Sequence, residues 1–458
     1  MKKIILFCFI SLLLISSCKS NDTEITEKKV ITQLSLSQTQ AQLAQGDSLS
    51  LILSYTPADL PAPTCTWTSS DTTVARVDNK GKIKTMGRGM ATITTATVKT
   101  NVSSLVISAQ CKLTVTYKGD GSTSNPYLIY TVADLKAIRD SINTKNDVYG
   151  NKAYKLMADL DFSKDTASWI PIGNSSSTTF KGCFDGNDKS IKNIHMKTSL
   201  FSINYIGLFG CVSNSNIKNL GIQWGAINVL SSKYSGGVGG QILNSTISNC
   251  YSTGNISDGD PTGGIGGEII GSTISNCYST GNMYRTGWFG GGIGGKVTSS
   301  TIINCYSTGD VYGYLIGGIS GSAEGSSSII NCYSAGNITA NWGNACGIVA
   351  FIDTATVTNC IALNSSLTST TNAAIGRIGI FWGDTKASNN YASTSIIVKQ
   401  GTTVISTFRN TRDNGSDLTA QPVDLLNAYV SANPTFNNIG LKKWKATAGV
   451  NNGYPVFE

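Results

Sequence analysis

From Ile31 to Tyr117 apolar and polar residues alternate at strand period, as in Leu34-Ser35-Leu36, Leu49-Ser50-Leu51-Ile52-Leu53, Val74 to Val77 and Ala91-Thr92-Ile93. The runs are broken by Gly46-Asp47, by Asp78-Asn79-Lys80-Gly81 and by Gly87-Arg88-Gly89. Short strands with regular turn signals predict a β-sandwich. A turn-rich stretch from Gly119 to Pro126 marks a boundary, and the period then changes. Thr131-Val132-Ala133-Asp134 followed by Leu135, Ile138 and Ile142 predicts a capped amphipathic helix over about 131–142. A helix placed before many strands suits a lid over the unpaired first edge of a stack.

The stack itself is announced by repetition. Ser248-Asn-Cys-Tyr-Ser-Thr-Gly-Asn255 returns almost unchanged from Ser275, Ile303 and Ile330, with a degenerate copy at Thr358-Asn-Cys-Ile361. A glycine cluster precedes each full copy, at Gly236–Gly240, Gly263–Gly267, Gly291–Gly295 and Gly317–Gly321. A fixed period of 27 or 28 residues with no room for a helix predicts a right-handed parallel β-helix, one unit per coil, with like residues about 4.8 Å apart. The fold class expected is therefore all-β: a sandwich followed by a β-helix with a short helical N-cap.

Stacking assigns roles to columns. Cys250, Cys277, Cys305, Cys332 and Cys360 form one column, read as a ladder of buried free thiols and not as designed disulfide pairs. Ile247 and Cys250 are an odd number of residues apart, so both face inward only if Asn249 sits at a turn. Asn249, Asn276, Asn304, Asn331 and Asn359 then make an asparagine ladder that satisfies turn backbone. Tyr251, Tyr278, Tyr306 and Tyr333 follow the cysteines, point outward and stack along one face.

The N-terminus reads as an export leader: Lys2-Lys3, an apolar run from Ile4 to Ile15, then Ser16-Ser17-Cys18. That run is shorter than the roughly twenty residues that a spanning helix needs. The expected organisation is a signal peptide over 1–17, a tether over 18–30, the sandwich over 31–117, and the β-helix over 118–458, closed by about 441–458. The 49 glycines and 14% charged residues favour tightly turned β structure. Two charges of the formal +8 sit on Lys2 and Lys3, and the rest are too dilute for a nucleic-acid footprint.

Three resemblances sharpen these readings. Ile15-Ser16-Ser17-Cys18 resembles the lipobox of bacterial lipoproteins, which implies acylation of Cys18, partnership with a membrane through its acyl chains, and, with Lys19 next, an outer-membrane location, expected to be surface-exposed. Gly46-Asp47, Pro57, Trp67-Thr68-Ser69-Ser70, Val74-Ala75, Val77-Asp78, Gly81 and Gly89-Met90-Ala91-Thr92-Ile93 resemble the bacterial group 2 immunoglobulin-like domain. In that fold Cys65 and Cys111 fall on non-adjacent strands, beyond easy disulfide reach. Residues 119 to 458 resemble GLUG-motif repeat proteins, through Asn125-Pro126-Tyr127, Tyr154 to Asp161, Ile170-Pro171-Ile172-Gly173, Phe184-Asp185-Gly186-Asn187, Gly207-Leu208-Phe209-Gly210 and Asn451-Asn452-Gly453-Tyr454-Pro455. The resemblance implies surface and adhesin-like chains, and chains beside the catalytic part of immunoglobulin-cleaving metalloproteases.

The chemistry points away from catalysis. A zinc protease needs two histidines and a glutamate, and this chain has one histidine, His195. Polysaccharide cleavage needs opposed carboxylates. Asp258, Asp260, Glu268, Asp310 and Glu324 form no matched set, and the pair Asp159 and Asp161 reads as structural. No enzyme activity, metal or cofactor is expected. Sameness breaks in loops after each Gly-Asn or Gly-Asp turn, which concentrate Tyr284, Arg285, Trp288, Phe289, Tyr312, Tyr314 and Trp342 along one edge. Trp288 and Trp342 are two coils, or about 10 Å, apart. Three functions follow: an adhesin-like module for glycan or protein ligands, a structural spacer, or a polysaccharide-cleaving β-helix.

Overall fold

A computed structural model describes residues 29–98, 106–198, 204–284, 286–406 and 413–458. The leader, Cys18, the tether as far as residue 28, and Arg285 lie outside them. The chain divides into two compact units.

The first is an immunoglobulin-like sandwich. Strands Gln40–Ala44, Ser108–Thr116, Gly89–Thr97 and Cys65–Ser69 form one sheet in that order, and Ser48–Ser50, Lys82–Thr85 and Ala75–Val77 form another. Alternation buries Leu51, Ile83, Ile93, Leu113 and Val115 between them. The strand Gly89–Thr97 lies between those carrying Cys65 and Cys111, and both thiols are free.

The second unit is a parallel β-helix. The coil that begins at Tyr234 shows its plan in five short strands: Tyr234–Gly236, Gly239–Leu243, Thr246–Ser248, Tyr251–Thr253 and Ile256–Gly259. Each pairs in parallel with its counterpart one coil on, so Ile242, Ile269, Val297, Ala323 and Ile352 make one inward column. Ile247, Ile274, Ile302, Ile329 and Val357 make another. Burying each isoleucine or valine of these columns stabilises by roughly 1.5–3 kcal/mol, and the columns join into one continuous core. The glycine clusters mark where the first two strands of a coil bend against each other. A Cβ on Gly263 would lie 2.2 Å from the Gly266 oxygen of its own coil, which blocks the bend, and one on Gly267 would lie 2.6 Å from the Ser235 nitrogen of the coil before, which blocks the stacking.

The first coil is closed by helix Val132–Thr144, whose Thr131 and Asp134 form a reciprocal capping box. Leu135, Ile138 and Ile142 enter the same core as the coils.

Asn249, Asn276, Asn304, Asn331 and Asn359 sit between strands with φ of 51 to 54°. Asparagine tolerates this left-handed region better than most residues. Each amide donates to the asparagine one coil back, at 3.0, 3.1, 2.7, 2.7 and 2.6 Å in chain order, Asn249 reaching Asn219. The cysteine column is buried beside it, each thiol donating to the carbonyl two residues earlier at 3.1 to 3.4 Å. The tyrosines stack outside the coils with centroids 5.0, 4.8 and 5.1 Å apart.

The C-terminal segment departs from the expected closing cap. Helix Pro422–Ala432 and the strands Trp444–Lys445 and Val456–Phe457 fold back along the outer side of the coils, over the tyrosine and asparagine ladders. The reason is apolar area: outward-stacked tyrosines leave an aromatic surface, and Trp444, Phe457, Leu426 and Leu441 cover it. Trp444 lies 5.8 Å from the Tyr306 ring and 5.7 Å from that of Tyr333, and its indole donates to Asn304 Oδ1 at 2.8 Å. Burial under this strap pushes Tyr278 up to about 12 and Tyr306 and Tyr333 well above the usual phenol range.

Candidate ligand-binding edge

Trp288 precedes the first strand of its coil, Phe289–Gly291, and Tyr314 precedes the equivalent strand Leu315–Gly317 one coil on. The Leu315 amide donates to the Trp288 carbonyl at 2.9 Å, which fixes their register. Their rings lie 4.7 Å apart, inclined by 56°. Trp342 belongs to the same connection in the next coil, ahead of strand Ala345–Cys346. Trp288 and Trp342 are 59% and 70% exposed, an unusual condition for the largest apolar side chain.

Asp260 holds this edge in place. Its Oδ1 accepts from the Trp288 amide at 2.8 Å and from the Phe289 amide at 3.4 Å. Burial raises its carboxyl above the ordinary range, and the two amide bonds only partly offset that. A carboxylate with a raised folded pKa contributes stability that is present at low pH and lost as pH rises through that pKa. Asp260→Asn keeps the accepting oxygen and removes the charge. It is expected to raise the melting temperature at neutral pH and to lessen the loss of stability as pH rises above the ordinary aspartate range, read by thermal melts from acid to neutral pH.

The remaining edge residues divide. Tyr284 and Tyr312 are exposed on the last strand of their coils, with the Tyr284 hydroxyl accepting from Asn282 Nδ2 at 2.8 Å. Phe289 turns away toward Lys296, whose Nζ stands 5.6 Å from the ring centroid. It therefore faces a second surface that the repeat pattern did not single out. There Tyr205 and Tyr234 stack at 5.4 Å, Gln241 donates to Glu268 at 2.7 Å, and Lys296 pairs with Glu324 at 3.5 Å. Phe351 and the exposed Trp382 continue it at 6.4 Å. The one sequence signal for it is an aromatic residue just ahead of the glycine cluster, in Tyr234-Ser235-Gly236 and Phe289-Gly290-Gly291.

The carboxylate pair weighed for catalysis, Asp159 and Asp161, is occupied in local hydrogen bonds. Asp159 accepts from Ser190 N at 2.7 Å and Ser190 Oγ at 2.9 Å, and Asp161 from Asn193 and from Ser163 N, both at 2.8 Å. These bonds hold both below the usual carboxylate range. His195 lies over the backbone of Gly225, where a Cβ would come within 2.2 Å of its ring. Among the described residues no group of three or more His, Cys, Asp or Glu side chains could hold a metal ion.

Two protein families match parts of the chain. Residues 30–116 match the bacterial Ig-like domain (group 2), and residues 231–257 and 312–339 match the GLUG motif. This chain joins a group 2 Ig-like domain to GLUG repeats. Halomucin of Haloquadratum walsbyi is 41% identical over 115 residues, which are 24% of this chain and 1% of halomucin. A candidate Gly-rich membrane protein of Evansella cellulosilytica is 31% identical over 116 residues, 24% of this chain and 12% of that protein. The matched part is thus a small share of either relative. Among solved structures, a candidate immunoglobulin A1 protease of Bacteroides ovatus aligns over 74% of this chain and 94% of its own, at 24% identity and a TM-score of 0.46. An IgA1 protease aligns over 67% of this chain and 24% of its own, at 14% identity and a TM-score of 0.37. The Ig-like domain and GLUG repeats are modules of the kind found in surface proteins. No helix among the described residues is long and apolar enough to cross a membrane.

Proposed function

We propose that this chain is a surface-displayed, adhesin-like protein whose GLUG β-helix binds glycan along the edge formed by Trp288, Tyr314 and Trp342. The observation that carries this reading is the exposed Trp288–Tyr314 pair, anchored through Asp260 to a rigid coil. Aromatic faces stack on sugar rings with little entropy to lose, because each side chain has only two rotatable bonds. Successive coils set such faces at about 4.8 Å intervals, so Trp288 and Trp342, two coils apart, span a short glycan. The Ig-like domain serves as the spacer, and acyl chains on Cys18 anchor the whole to the outer membrane. The chain binds its ligand without transforming it.

A glycan array with the purified chain tests this reading. A Trp288→Ala/Trp342→Ala double variant is expected to lose at least about tenfold in affinity for whichever glycan binds, at an unchanged melting temperature, since both rings are exposed. Binding that survives the double substitution, or no binding across the array, would count against the glycan edge. A chain that is displayed on cells yet binds nothing would be a spacer.

A further inference from the structure

The strap is fastened to the asparagine ladder through its main chain. Asn276 donates through Nδ2 to the Gly440 carbonyl at 2.8 Å and accepts at Oδ1 from the Lys442 amide at 3.0 Å. One side-chain amide thereby pairs with an extended backbone much as a neighbouring strand does. One coil on, Asn304 donates to the Lys442 carbonyl at 3.0 Å, two strap residues further along. Asn427, within the strap, makes a two-point grip on the amide and carbonyl of one residue, Trp444, at 2.8 Å in both directions.

The strap's grip begins at Asn276, but the ladder does not. Asn249, one coil earlier, has the same residue type and nearly the same backbone, φ 54° against 51°. Among the described residues its amide donates to Asn219 and accepts from Asn276, which leaves one N–H and one oxygen lone pair open, the two groups that Asn276 gives to the strap. Beside it lies a cavity of about 230 Å³ lined by Asn219, Asn249, Tyr251, Tyr278, Lys442 and Phe457. Tyr251 continues the tyrosine stack and is half-buried, whereas Tyr306 and Tyr333 lie beneath Trp444. Lys189 and Lys442 at the rim are matched by Asp188 and Glu458, so charge does not dominate the mouth.

We propose that the open rung at Asn249, with the cavity that Asn219 lines beside it, forms a binding site for an extended peptide segment of a partner protein. The peptide is held by two-point main-chain hydrogen bonds to the Asn249 amide, at two residues per coil as in the strap, and sets an aromatic or aliphatic side chain against the outer edge of Tyr251. This site is separate from the glycan edge and does not depend on it.

The probe is an acetylated, amidated and fluorescently labelled peptide of the strap sequence Gly440–Lys445, titrated against the full chain by anisotropy, with a scrambled peptide of equal charge beside it. Saturable binding is expected, weakened about tenfold in Asn249→Gly, which keeps the left-handed turn and removes only the amide. Tyr251→Ala is expected to weaken it as well, and Trp288→Ala to leave it unchanged. Thermal melts confirm that each variant is folded. Equal binding of the scrambled peptide, no binding at millimolar peptide, or full binding by both Asn249→Gly and Tyr251→Ala overturns the proposal. So does binding lost in Asn276→Gly but retained in Asn249→Gly, because it puts the peptide on the strap's own rung.

Discussion

Gly309→Ala is expected to cost about 3 kcal/mol or more and to break the cooperativity of the β-helix. A Cβ at Gly309 would stand 1.9 Å from the Gly281 carbonyl oxygen and 2.6 Å from its carbon, and the same approach recurs between Gly336 and Gly309 and between Gly281 and Gly254. The obstruction is backbone on backbone, so no rotamer relieves it. Nor can the coil shift, because its neighbours bond it on both sides: Tyr306 N donates to Cys277 O, and Tyr333 N to Cys305 O, each at 3.1 Å. In a solenoid each coil contacts only its neighbours, so the damage concentrates at one junction. Urea unfolding followed by circular dichroism is expected to become biphasic, the coils on either side melting separately. Thr308→Ala, one residue away, serves as the control. A single transition at the parent midpoint would falsify this account of the glycine column.

Asn304→Ala is expected to cost about 4 kcal/mol and to release the strap before the coils melt. Asn304 is fully buried, and its amide is saturated: it donates to Asn276 at 2.7 Å and to the Lys442 carbonyl at 3.0 Å, and accepts from Asn331 at 2.7 Å and the Trp444 indole at 2.8 Å. Removing it strands buried partners, each at about 1–3 kcal/mol, and alanine adds roughly 1–2 kcal/mol for the left-handed turn. Asn304→Gly separates the two effects, since glycine adopts φ of 54° without that penalty. Limited proteolysis reads the outcome: cleavage within 413–458 is expected at urea concentrations where the coils still show full β signal. Simultaneous loss of strap and coils in Asn304→Gly would show that the strap is no separate unit.

Much of the β-helix was legible because its contacts repeat. Cys250, Cys277 and Cys305 fall at one spacing, and a spacing that holds over several copies has one economical realisation, in which equivalent residues lie over one another. The odd separation of Ile247 and Cys250 was enough to put Asn249 at a turn, and the alternation between Leu34 and Ile93 was enough for a sandwich. The candidate edge was only partly legible. That Trp288, Tyr314 and Trp342 share one connection follows from the period. That Trp288 pairs with Tyr314 while Phe289 swings to Lys296 does not, because Trp288 ends the loop and Phe289 begins the strand, and the loop's conformation sets where each side chain turns.

By itself, then, the amino-acid order determined the two modules, the coil period, the inward columns and the capping helix. Each depends on contacts between neighbours or between residues one period apart, and such contacts write a regular pattern into the chain. Tertiary structure alone decided that the C-terminal segment lies along the outside of the coils and shields their tyrosines. Trp444 meets Asn304 across 140 residues, and among the described residues the pairing has no second copy. A contact made a single time between distant segments leaves no periodic trace, and only the exposed aromatic area of the stacked tyrosines, visible once the coils are assembled, selects it.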